Sequence, residues 1–395
     1  MKHWIEQKTR NYFFSLLENL KTGTLTVITP SKEKRVFMGD ATLHATIEFH
    51  DWSVLVNAAR RGDIGLGEDY IEGKWDSPDI GHLIELFLRN MDVFDTFAHG
   101  NAFNRLLFRF ANAMRSNSKK QSKRNIKAHY DVGNDFYRLW LDDSMTYSSA
   151  LYQEDVTELF DAQYAKYQRI IDIISPNGET KHILEIGCGW GGFLSQAAQQ
   201  GHHITSVTIS PSQYEFAAQR ITHKELQEKT DLRLQDYREI DGKFDAIASI
   251  EMFEAVGEQY WGEYFSTIKA RLNADGTAVI QTITIDNELF DDYRERSDFI
   301  RQYTFPGGLL PSQQRFLEEA QKAGLKCNNI HHFGLDYAKT LSVWLQRFDE
   351  NRDNIVKMGY SDGFIRNWRF YLSMCIGSFN ARRTDVIQVS LVHDK

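Results

Sequence analysis

The sequence predicts an α/β fold: a parallel sheet covered by helices on both faces, together with a small N-terminal α+β domain. From about residue 160 onward, apolar strand-like segments alternate with helical ones, beginning with KHILEI and FLSQAAQQ. Such alternation is typical of parallel sheets. The chain has 395 residues, 42% of them hydrophobic, which is enough for one such domain and a smaller companion.

The N-terminal part shows shorter elements. Residues 4–20 carry apolar side chains at helical spacing, and Gly23 is the predicted stop. We expect this helix to pack on its own domain rather than enter a membrane. TLTVITP and KRVFMG flank the turn-like SKE and predict a hairpin, and ATIEFHD predicts a further strand. In RRGDIGLGEDYIEGKW, Gly62, Gly65 and Gly67 predict tight backbone bends.

A basic segment follows these elements. RSNSKKQSKRNIK, residues 115–127, has six basic residues and no acidic ones. It is either a solvated linker or a mobile strap that holds anionic phospholipid headgroups, to which each charge contributes about 1 kcal/mol near the surface. We therefore divide the chain into a small α+β domain at 1–105, a basic linker at 106–128 and a larger domain at 129–395.

Composition excludes several classes of protein. The formal net charge of −8 argues against a general nucleic-acid binder. Cys188, Cys327 and Cys375 have neither metal nor disulfide spacing, so we expect no metal site and a reducing compartment. No apolar stretch approaches the roughly 18 residues of a membrane span, and the N-terminus lacks the apolar core of a signal peptide. We expect a cytoplasmic protein.

The predicted sheet continues through HITSVTIS, RLQD, FDAIASI and GTAVIQTIT. Ligands of such sheets bind at the carboxyl ends of the strands. Two acids, Glu251 and Glu254, come directly after FDAIASI, so each is either solvated or directed at a positive group. For Glu251 we expect a solvated or helix-capping acid.

Residues 182–193, HILEIGCGWGGF, have the pattern strand, glycine turn, helix. Gly187 and Gly189 permit a tight turn and the close approach of a ligand. NAD enzymes also use a glycine-rich turn, and Gly187, Gly189 and Gly192 match the dinucleotide-binding spacing Gly-x-Gly-x-x-Gly. However, Glu185 lies two residues before the first glycine, where a negative charge disfavours a phosphate and suits a sulfonium or an ammonium group. The pattern therefore favours S-adenosylmethionine over NAD.

Polar residues at the next strand ends complete the predicted cofactor site. The strand VTIS ends without an acid for a ribose and offers Thr208, Ser210 and Gln213 instead. Asp236 and Tyr237 close the following strand, where they are expected to hydrogen-bond and stack an adenine.

Longer motifs resemble one protein family. They are HYDVGNDFYRLWLDDSMTYSSALY (129–152), ILEIGCGWGGF, VTISPSQ, LQDYRE, EMFEAVG, FPGGLLPS (305–312) and DYAKTLSVW (336–344). Together with GDIGLGEDYIEGKW they resemble the cyclopropane-fatty-acyl-phospholipid synthase family, to which the mycolic acid cyclopropane synthases are closely related. The resemblance spans nearly the whole chain. It implies a class I S-adenosylmethionine methyltransferase (Rossmann-like) sheet with inserted helices that form an acyl-chain pocket.

The resemblance also implies a reaction and its residues. The methyl group of S-adenosylmethionine is transferred to a cis double bond of a phospholipid acyl chain, and the ring closes after loss of a proton. Glu254 and Tyr337 would lie in the reaction centre, where Glu254 organises a bound bicarbonate that acts as the base. The residues that would line the cofactor are Tyr147, Ser148, Gly187, Gly189, Thr208, Gln213, Asp236 and Tyr237. A homodimer is suggested only by the resemblance.

Two positions depart from the family pattern. Ser149 stands where many members have a Cys, and Gln281 where they have a His, both of which contact the bicarbonate. Serine and glutamine still donate hydrogen bonds to an oxyanion, but neither relays a proton. Either ring formation with bicarbonate survives, or the proton leaves an adjacent carbon and the product is a methyl-branched or methylene chain.

Two other functions stay open. One is small-molecule N-methylation, against which the segments at 129–152 and 305–312 argue. The other is a non-catalytic lipid-binding protein, against which the intact glycine turn argues. For the family function, the basic segment predicts peripheral contact with the anionic inner face of a membrane.

Overall fold

The computed structural model describes residues 2–40, 43–98 and 132–394. The basic segment at 115–127 and the predicted linker at 106–128 lie outside the described residues. The strands of the described chain are β1 Thr24–Ile28, β2 Lys34–Met38, β3 His44–Phe49, β4 Trp75–Asp76, β5 His182–Ile186, β6 His203–Thr208, β7 Thr230–Leu234, β8 Phe244–Ile250, β9 Leu272–Ile285, β10 Leu325–His332 and β11 Thr384–His393.

The helices of the described residues are α1 Lys2–Leu17, α2 Ser53–Arg61, α3 Asp63–Ile71, α4 Ile80–Arg89, α5 Met91–Ala98, α6 Asn134–Arg138, α7 Leu159–Ile174, α8 Gly192–Gln199, α9 Pro211–His223, α10 Trp261–Arg271, α11 Asn287–Glu295, α12 Phe299–Tyr303, α13 Gln313–Lys322, α14 Gly334–Glu350, α15 Arg352–Lys357 and α16 Asp362–Asn380. None of them is long and apolar enough to cross a membrane.

Backbone contacts divide the described chain into two compact units that do not follow chain order. The first unit contains the residues up to 98 together with 291–306 and 341–383, and the second contains the remainder. Two stretches of the predicted 129–395 domain thus pack with the N-terminal residues. Whether 1–105 and 129–395 fold independently stays a prediction.

The first unit contains a four-stranded sheet with strand order β2-β1-β3-β4. The predicted hairpin is confirmed, since β1 and β2 pair antiparallel with Thr24 opposite Met38. The N-terminal helix packs on its own unit through Phe13, which is 3% exposed and lies edge-on to Phe49 at 6.1 Å between ring centroids. Phe13 therefore contributes to a core, whereas Trp4 and Tyr12 of the same helix are exposed.

The predicted bends at Gly65 and Gly67 are wrong, because both glycines lie inside α3. Only Gly62, with a φ of 60°, lies between two helices. A Cβ at Gly67 would lie 2.5 Å from the ring of Phe299 and 2.6 Å from that of Phe370. Gly67 is thus explained by the close approach of two aromatic rings rather than by a turn.

The second unit contains a seven-stranded sheet with strand order β10-β11-β9-β8-β5-β6-β7. The predicted strands β9, β8, β5, β6 and β7 lie side by side in this order and pair in parallel. In contrast, β11 runs antiparallel to both its neighbours, β10 and β9. The third predicted strand, RLQD, is displaced, since β7 ends at Leu234. The parallel strands bring their carboxyl ends to one edge, where the predicted site residues lie.

The core of this unit lies between the sheet and its helices. It includes Ile170, Ile183, Phe193, Ile204 and Val279, all at most 1% exposed. Strands that are buried on both faces read as nearly continuous apolar runs, which is why β5 and β8 were predictable from sequence.

Candidate active site

Two glycines build the turn that follows β5. Gly187 and Gly189 have φ values of 88° and 50°. A Cβ at Gly187 would also lie 3.1 Å from the Cγ atom of Met252. The N–H groups of Gly187 and Cys188 both donate to the carbonyl oxygen of Val207, at 3.0 and 3.1 Å. The turn is therefore held between the end of β6 and the residues that follow β8.

Glu185 lies buried in β5, with 2% of its surface exposed. The Ser206 hydroxyl of the neighbouring strand donates to its carboxyl group. Burial raises the pKa of Glu185 to about 8, and the hydrogen bond from Ser206 acts in the opposite direction. A positive group placed near Glu185 would favour its ionised form, as the predicted contact with a cationic cofactor requires.

The structure brings the predicted residues Thr208 and Gln213 together after β6. Thr208 Oγ1 donates to Gln213 Oε1 at 3.1 Å, and both side chains are buried. Ser210 has a structural role, because its hydroxyl caps α9 by accepting from the N–H of Gln213 at 3.4 Å. The proline at position 211 suits the first turn of that helix.

Asp236 and Tyr237 follow β7 and lie beside Arg238. The arginine donates to both carboxylate oxygens of Asp236, from Nε to Oδ1 at 2.8 Å and from Nη2 to Oδ2 at 2.7 Å. Its guanidinium group lies 5.6 Å from the ring centroid of Tyr237. This bidentate pair fixes the carboxylate, and a ligand would use the remaining lone pairs of its oxygens.

Tyr147 belongs to an aromatic cluster that precedes the glycine turn in sequence. Its ring centroid lies 5.6 Å from those of Tyr137 and Trp140. Tyr137 in turn lies 5.1 Å from Trp190, inside the glycine turn. The predicted cofactor residue Tyr147 is therefore linked to that turn through packed rings.

A buried lysine of α7 holds Ser148. Lys166 Nζ donates to Ser148 Oγ and to Gln163 Oε1, each at 2.6 Å, and Gln163 Nε2 donates to the Ser148 carbonyl oxygen at 2.9 Å. Lys166 has no exposed surface. Burial lowers its pKa to about 7, while the charges of Glu251 and Asp142 raise it. Sequence reasoning missed this lysine, because nothing in the pattern distinguishes it from a solvated helical residue.

The expectation that Glu251 is a solvated or capping acid is wrong. Its Oε1 accepts from the N–H of Ser149 at 2.8 Å and from Nε2 of Gln281 at 2.8 Å. The Tyr337 side chain also hydrogen-bonds this carboxyl group. Glu251 has a φ of 48°, and such left-handed backbone is uncommon outside glycine and clusters at functional sites. Three predicted reaction-centre residues thus converge on a fourth that was not predicted.

The polar groups of Ser149 and Gln281 are bound within the protein. The Ser149 hydroxyl donates to the Ala150 carbonyl oxygen at 2.9 Å. Gln281 uses its nitrogen on Glu251, and its oxygen accepts from Nε2 of Gln388 at 3.0 Å. Gln388 lies opposite Gln281 on β11, a strand that the sequence analysis did not predict.

Glu254 lies in the short 3-10 turn Phe253–Ala255. Its Oε1 accepts from Thr282 Oγ1 at 3.0 Å and from the N–H of Ile283 at 2.5 Å. Its Oε2 is buried and has no hydrogen-bond partner among the described residues. Burial, together with the charge of Glu251, raises the pKa of Glu254 to about 8.

The two carboxyl groups have unequal surroundings. Burial raises the pKa of Glu251, but the charge of Lys166 and the surrounding donors lower it. Glu254 instead faces the like charge of Glu251. Of two such acids, the one with the cation and the donors ionises first. Glu251 is therefore the acid that ionises first, and Glu254 is the one that holds its proton to higher pH.

This donor set does not fit a bound bicarbonate. The predicted contacts for that ion were Ser149, Gln281 and Glu254, and Tyr337 was placed in the same reaction centre. The Ser149 N–H, the Gln281 amide and Tyr337 are already engaged with Glu251. A second anion in the same place would meet like-charge repulsion.

Comparisons with known proteins identify the family. The model of the family described as mycolic acid cyclopropane synthetase matches residues 117–389. This chain belongs to that family. The tuberculostearic acid methyltransferase UfaA1 of Mycobacterium tuberculosis (strain ATCC 25618 / H37Rv) is 34% identical over 85% of this chain and 80% of its own length.

Two further relatives agree. The cyclopropane-fatty-acyl-phospholipid synthase of Escherichia coli (strain K12) is 32% identical over 84% of this chain and 83% of its own length. The solved structure of the mycolic acid cyclopropane synthase CmaA1, complexed with SAH and CTAB, superposes with a TM-score of 0.62 at 28% identity, over 68% of this chain and 97% of that one.

Membership of the mycolic acid cyclopropane synthetase family confirms the predicted fold class, a class I S-adenosylmethionine methyltransferase sheet. It also confirms the enzyme class, an S-adenosylmethionine-dependent methyltransferase of the cyclopropane synthase type that acts on lipid acyl chains. The roles of the individual site residues stay predictions.

Proposed function

We propose that this enzyme transfers the methyl group of S-adenosylmethionine to a cis double bond in an unsaturated acyl chain of a phospholipid and closes a cyclopropane ring. The observation that carries the proposal is the convergence of Ser149, Gln281 and Tyr337 on the Glu251 carboxylate. This carboxylate directly follows β8, next to the glycine turn. A methyl donor bound at that turn would face an anionic group.

The residues at the strand ends fit S-adenosylmethionine. Gly187 permits close backbone approach, Glu185 offers a buried carboxyl group, and Thr208 and Gln213 offer buried polar atoms. When bound, the cofactor supplies an electrophilic methyl group on a positively charged sulfur. The proposed cofactor residues are Tyr147, Ser148, Gly187, Gly189, Thr208, Gln213, Asp236 and Tyr237.

An alkene is a weak nucleophile, so the enzyme must align it and keep water from the cation that forms. The charge of Glu251 stabilises positive charge that develops on the acyl chain. Its position is fixed by the Ser149 N–H and by Gln281. Glu254 retains its proton and therefore adds no second negative charge beside the first.

A methyl-branched or methylene product is the second candidate. The same cation leads to it when the proton leaves an adjacent carbon rather than the new methyl group. Two observations favour this alternative: the Cys and His of the family pattern are replaced by Ser149 and Gln281, and one relative is named a tuberculostearic acid methyltransferase.

The lipid substrate also supports a proposal about location. We expect the enzyme to act in the cytoplasm, in peripheral contact with the anionic inner face of the membrane. A homodimer stays a prediction from the resemblance.

The test uses purified protein, S-adenosylmethionine and vesicles of monounsaturated phospholipid, followed by proton NMR of the recovered acyl chains. We expect upfield ring protons. Vinylic or methylene signals without them would establish the second candidate, which mass alone does not distinguish because the two products are isomers. No lipid product would contradict both candidates; an amine library would then test N-methylation, and absence of S-adenosylmethionine binding would indicate a non-catalytic protein.

A further inference from the structure

The Glu251 carboxylate occupies the position that the sequence analysis assigned to an external oxyanion. The Ser149 N–H and the Gln281 amide both donate to one of its oxygens, at 2.8 Å each, and Tyr337 binds the same group. A carboxylate accepts about four hydrogen bonds, so these donors leave it capacity for another proton. The donors that were expected to bind an external anion therefore bind the carboxylate of Glu251, a residue of the chain itself.

Burial raises the pKa of Glu251, and a neighbouring lysine and the hydrogen-bond donors oppose that effect. Lys166 is buried and interacts with both Glu251 and Asp142. Glu254 binds Thr282 and Ile283 through one oxygen and has no cation among the interactions that shift its pKa. A carboxyl group that is held by three donors beside a lysine, and whose pKa is raised by burial, is suited to proton abstraction.

We infer that Glu251 is itself the base of the reaction and replaces a bound bicarbonate. This inference rests on the proposed function, because it concerns the proton that must leave after methyl transfer. It removes the difficulty posed by Ser149 and Gln281, since neither has to relay a proton. Their task is to hold the base in place.

The step balances as follows. The π electrons of the acyl double bond form a C–C bond to the methyl carbon, while the C–S bond breaks with its electron pair on sulfur. Positive charge remains on the other alkene carbon. Glu251 takes a proton from the new methyl group, and the electron pair of that C–H bond closes the ring. The products are the cyclopropane, S-adenosylhomocysteine and a protonated Glu251, which then loses its proton to solvent.

The first experiment needs no variant. Product formation by the wild-type enzyme is measured in buffer depleted of carbon dioxide, with and without added bicarbonate. We expect the same rate in both. A rate that falls on depletion and recovers with bicarbonate would overturn the inference while leaving the proposed function intact. Absence of any lipid product would instead contradict the proposed function and the inference together.

The second experiment substitutes the carboxylate. Glu251→Gln keeps the size and should lower turnover by about 10²–10⁴-fold, the usual contribution of a general base. Glu251→Ala leaves space, so added formate or bicarbonate should restore part of the rate. Calorimetric binding of S-adenosylhomocysteine verifies that the variants are folded. Glu258→Gln, which alters an exposed acid seven residues further on, is the matched control. A wild-type rate in Glu251→Gln would overturn the inference.

Discussion

Glu185 is an acid whose charge should depend on the bound cofactor. Burial raises its pKa to about 8, so in the protein without a ligand it is mostly protonated at pH 7. A nearby cationic group lowers the pKa of a carboxyl group. The ionised form then predominates at the same pH. Cofactor binding and proton release are therefore coupled at this residue.

We predict that binding of S-adenosylmethionine at pH 7 releases close to one proton from Glu185. Calorimetry in buffers of different ionisation enthalpy measures this number. The release should disappear as pH rises above about 9, where the carboxyl group is already ionised, and it should be absent in Glu185→Gln. S-adenosylhomocysteine, which lacks the sulfonium charge, separates the two possible cations: equal release with both compounds would assign the contact to the ammonium group. Equal release by wild type and Glu185→Gln would contradict the prediction.

At the scale of elements, the loop at 147–152 is held by several parts of its own unit. Lys166 and Gln163 of α7 bind Ser148. From α14, Thr340 Oγ1 accepts from the N–H of Ala150 at 3.1 Å, and Asp336 Oδ2 accepts from the N–H of Tyr152 at 2.8 Å. Since Ser149 binds Glu251, the same interactions that order the loop also order the proposed base.

We predict that Lys166→Met moves the acid limb of the pH–rate profile to higher pH, by about one unit. The positive charge of Lys166 lowers the pKa of Glu251, so its removal raises that pKa and less base is ionised at a given pH. Glu254, Asp142 and Tyr337 also face this pair and are unchanged in the variant. Lys326→Met, on the exposed face of β10, is the control. An unchanged acid limb, with thermal unfolding showing a folded variant, would contradict the prediction.

Sequence patterns predicted the elements that show a regular pattern of apolar residues or a recognisable turn. Continuous apolar runs identified the strands β5 and β8, and turn residues identified the β1–β2 hairpin. The prediction for Gly67 was wrong, because the sequence alone does not distinguish a glycine needed for close helix packing from a glycine needed for a bend. Local sequence patterns indicate which backbone conformation a segment prefers, whereas close packing depends on residues that are distant in sequence.

The candidate site shows the same division. The glycine turn and the positions of Glu254, Ser149 and Gln281 follow from motifs. The role of Glu251 could not be inferred, because a solvated acid and an acid held by three donors look alike in sequence. Two glutamates three residues apart, together with the loss of the family's Cys and His, were the available signal. Lys166 and Gln388 gave none, since their relevance arises from tertiary contacts.

At the scale of the whole molecule, charge is unevenly distributed. The chain has a net charge of −8, yet residues 115–127 contain six basic residues and no acidic ones. Anionic vesicles repel the molecule as a whole and attract this segment. Each basic residue close to such a surface contributes about 1 kcal/mol, so local charge should outweigh net charge if the segment reaches the lipid.

Two variants with equal net charge test this argument. Replacement of Lys119, Lys120, Lys123 and Arg124 by Gln should weaken co-sedimentation with vesicles of anionic phospholipid at least tenfold, since about 4 kcal/mol of attraction is removed. The control replaces four exposed lysines elsewhere by Gln: Lys224, Lys229, Lys326 and Lys357. It should bind nearly as well as the wild type, and binding by the wild type should weaken as salt rises. Equal binding by both variants would identify the segment as a solvated linker, and the peripheral membrane contact would then need another surface.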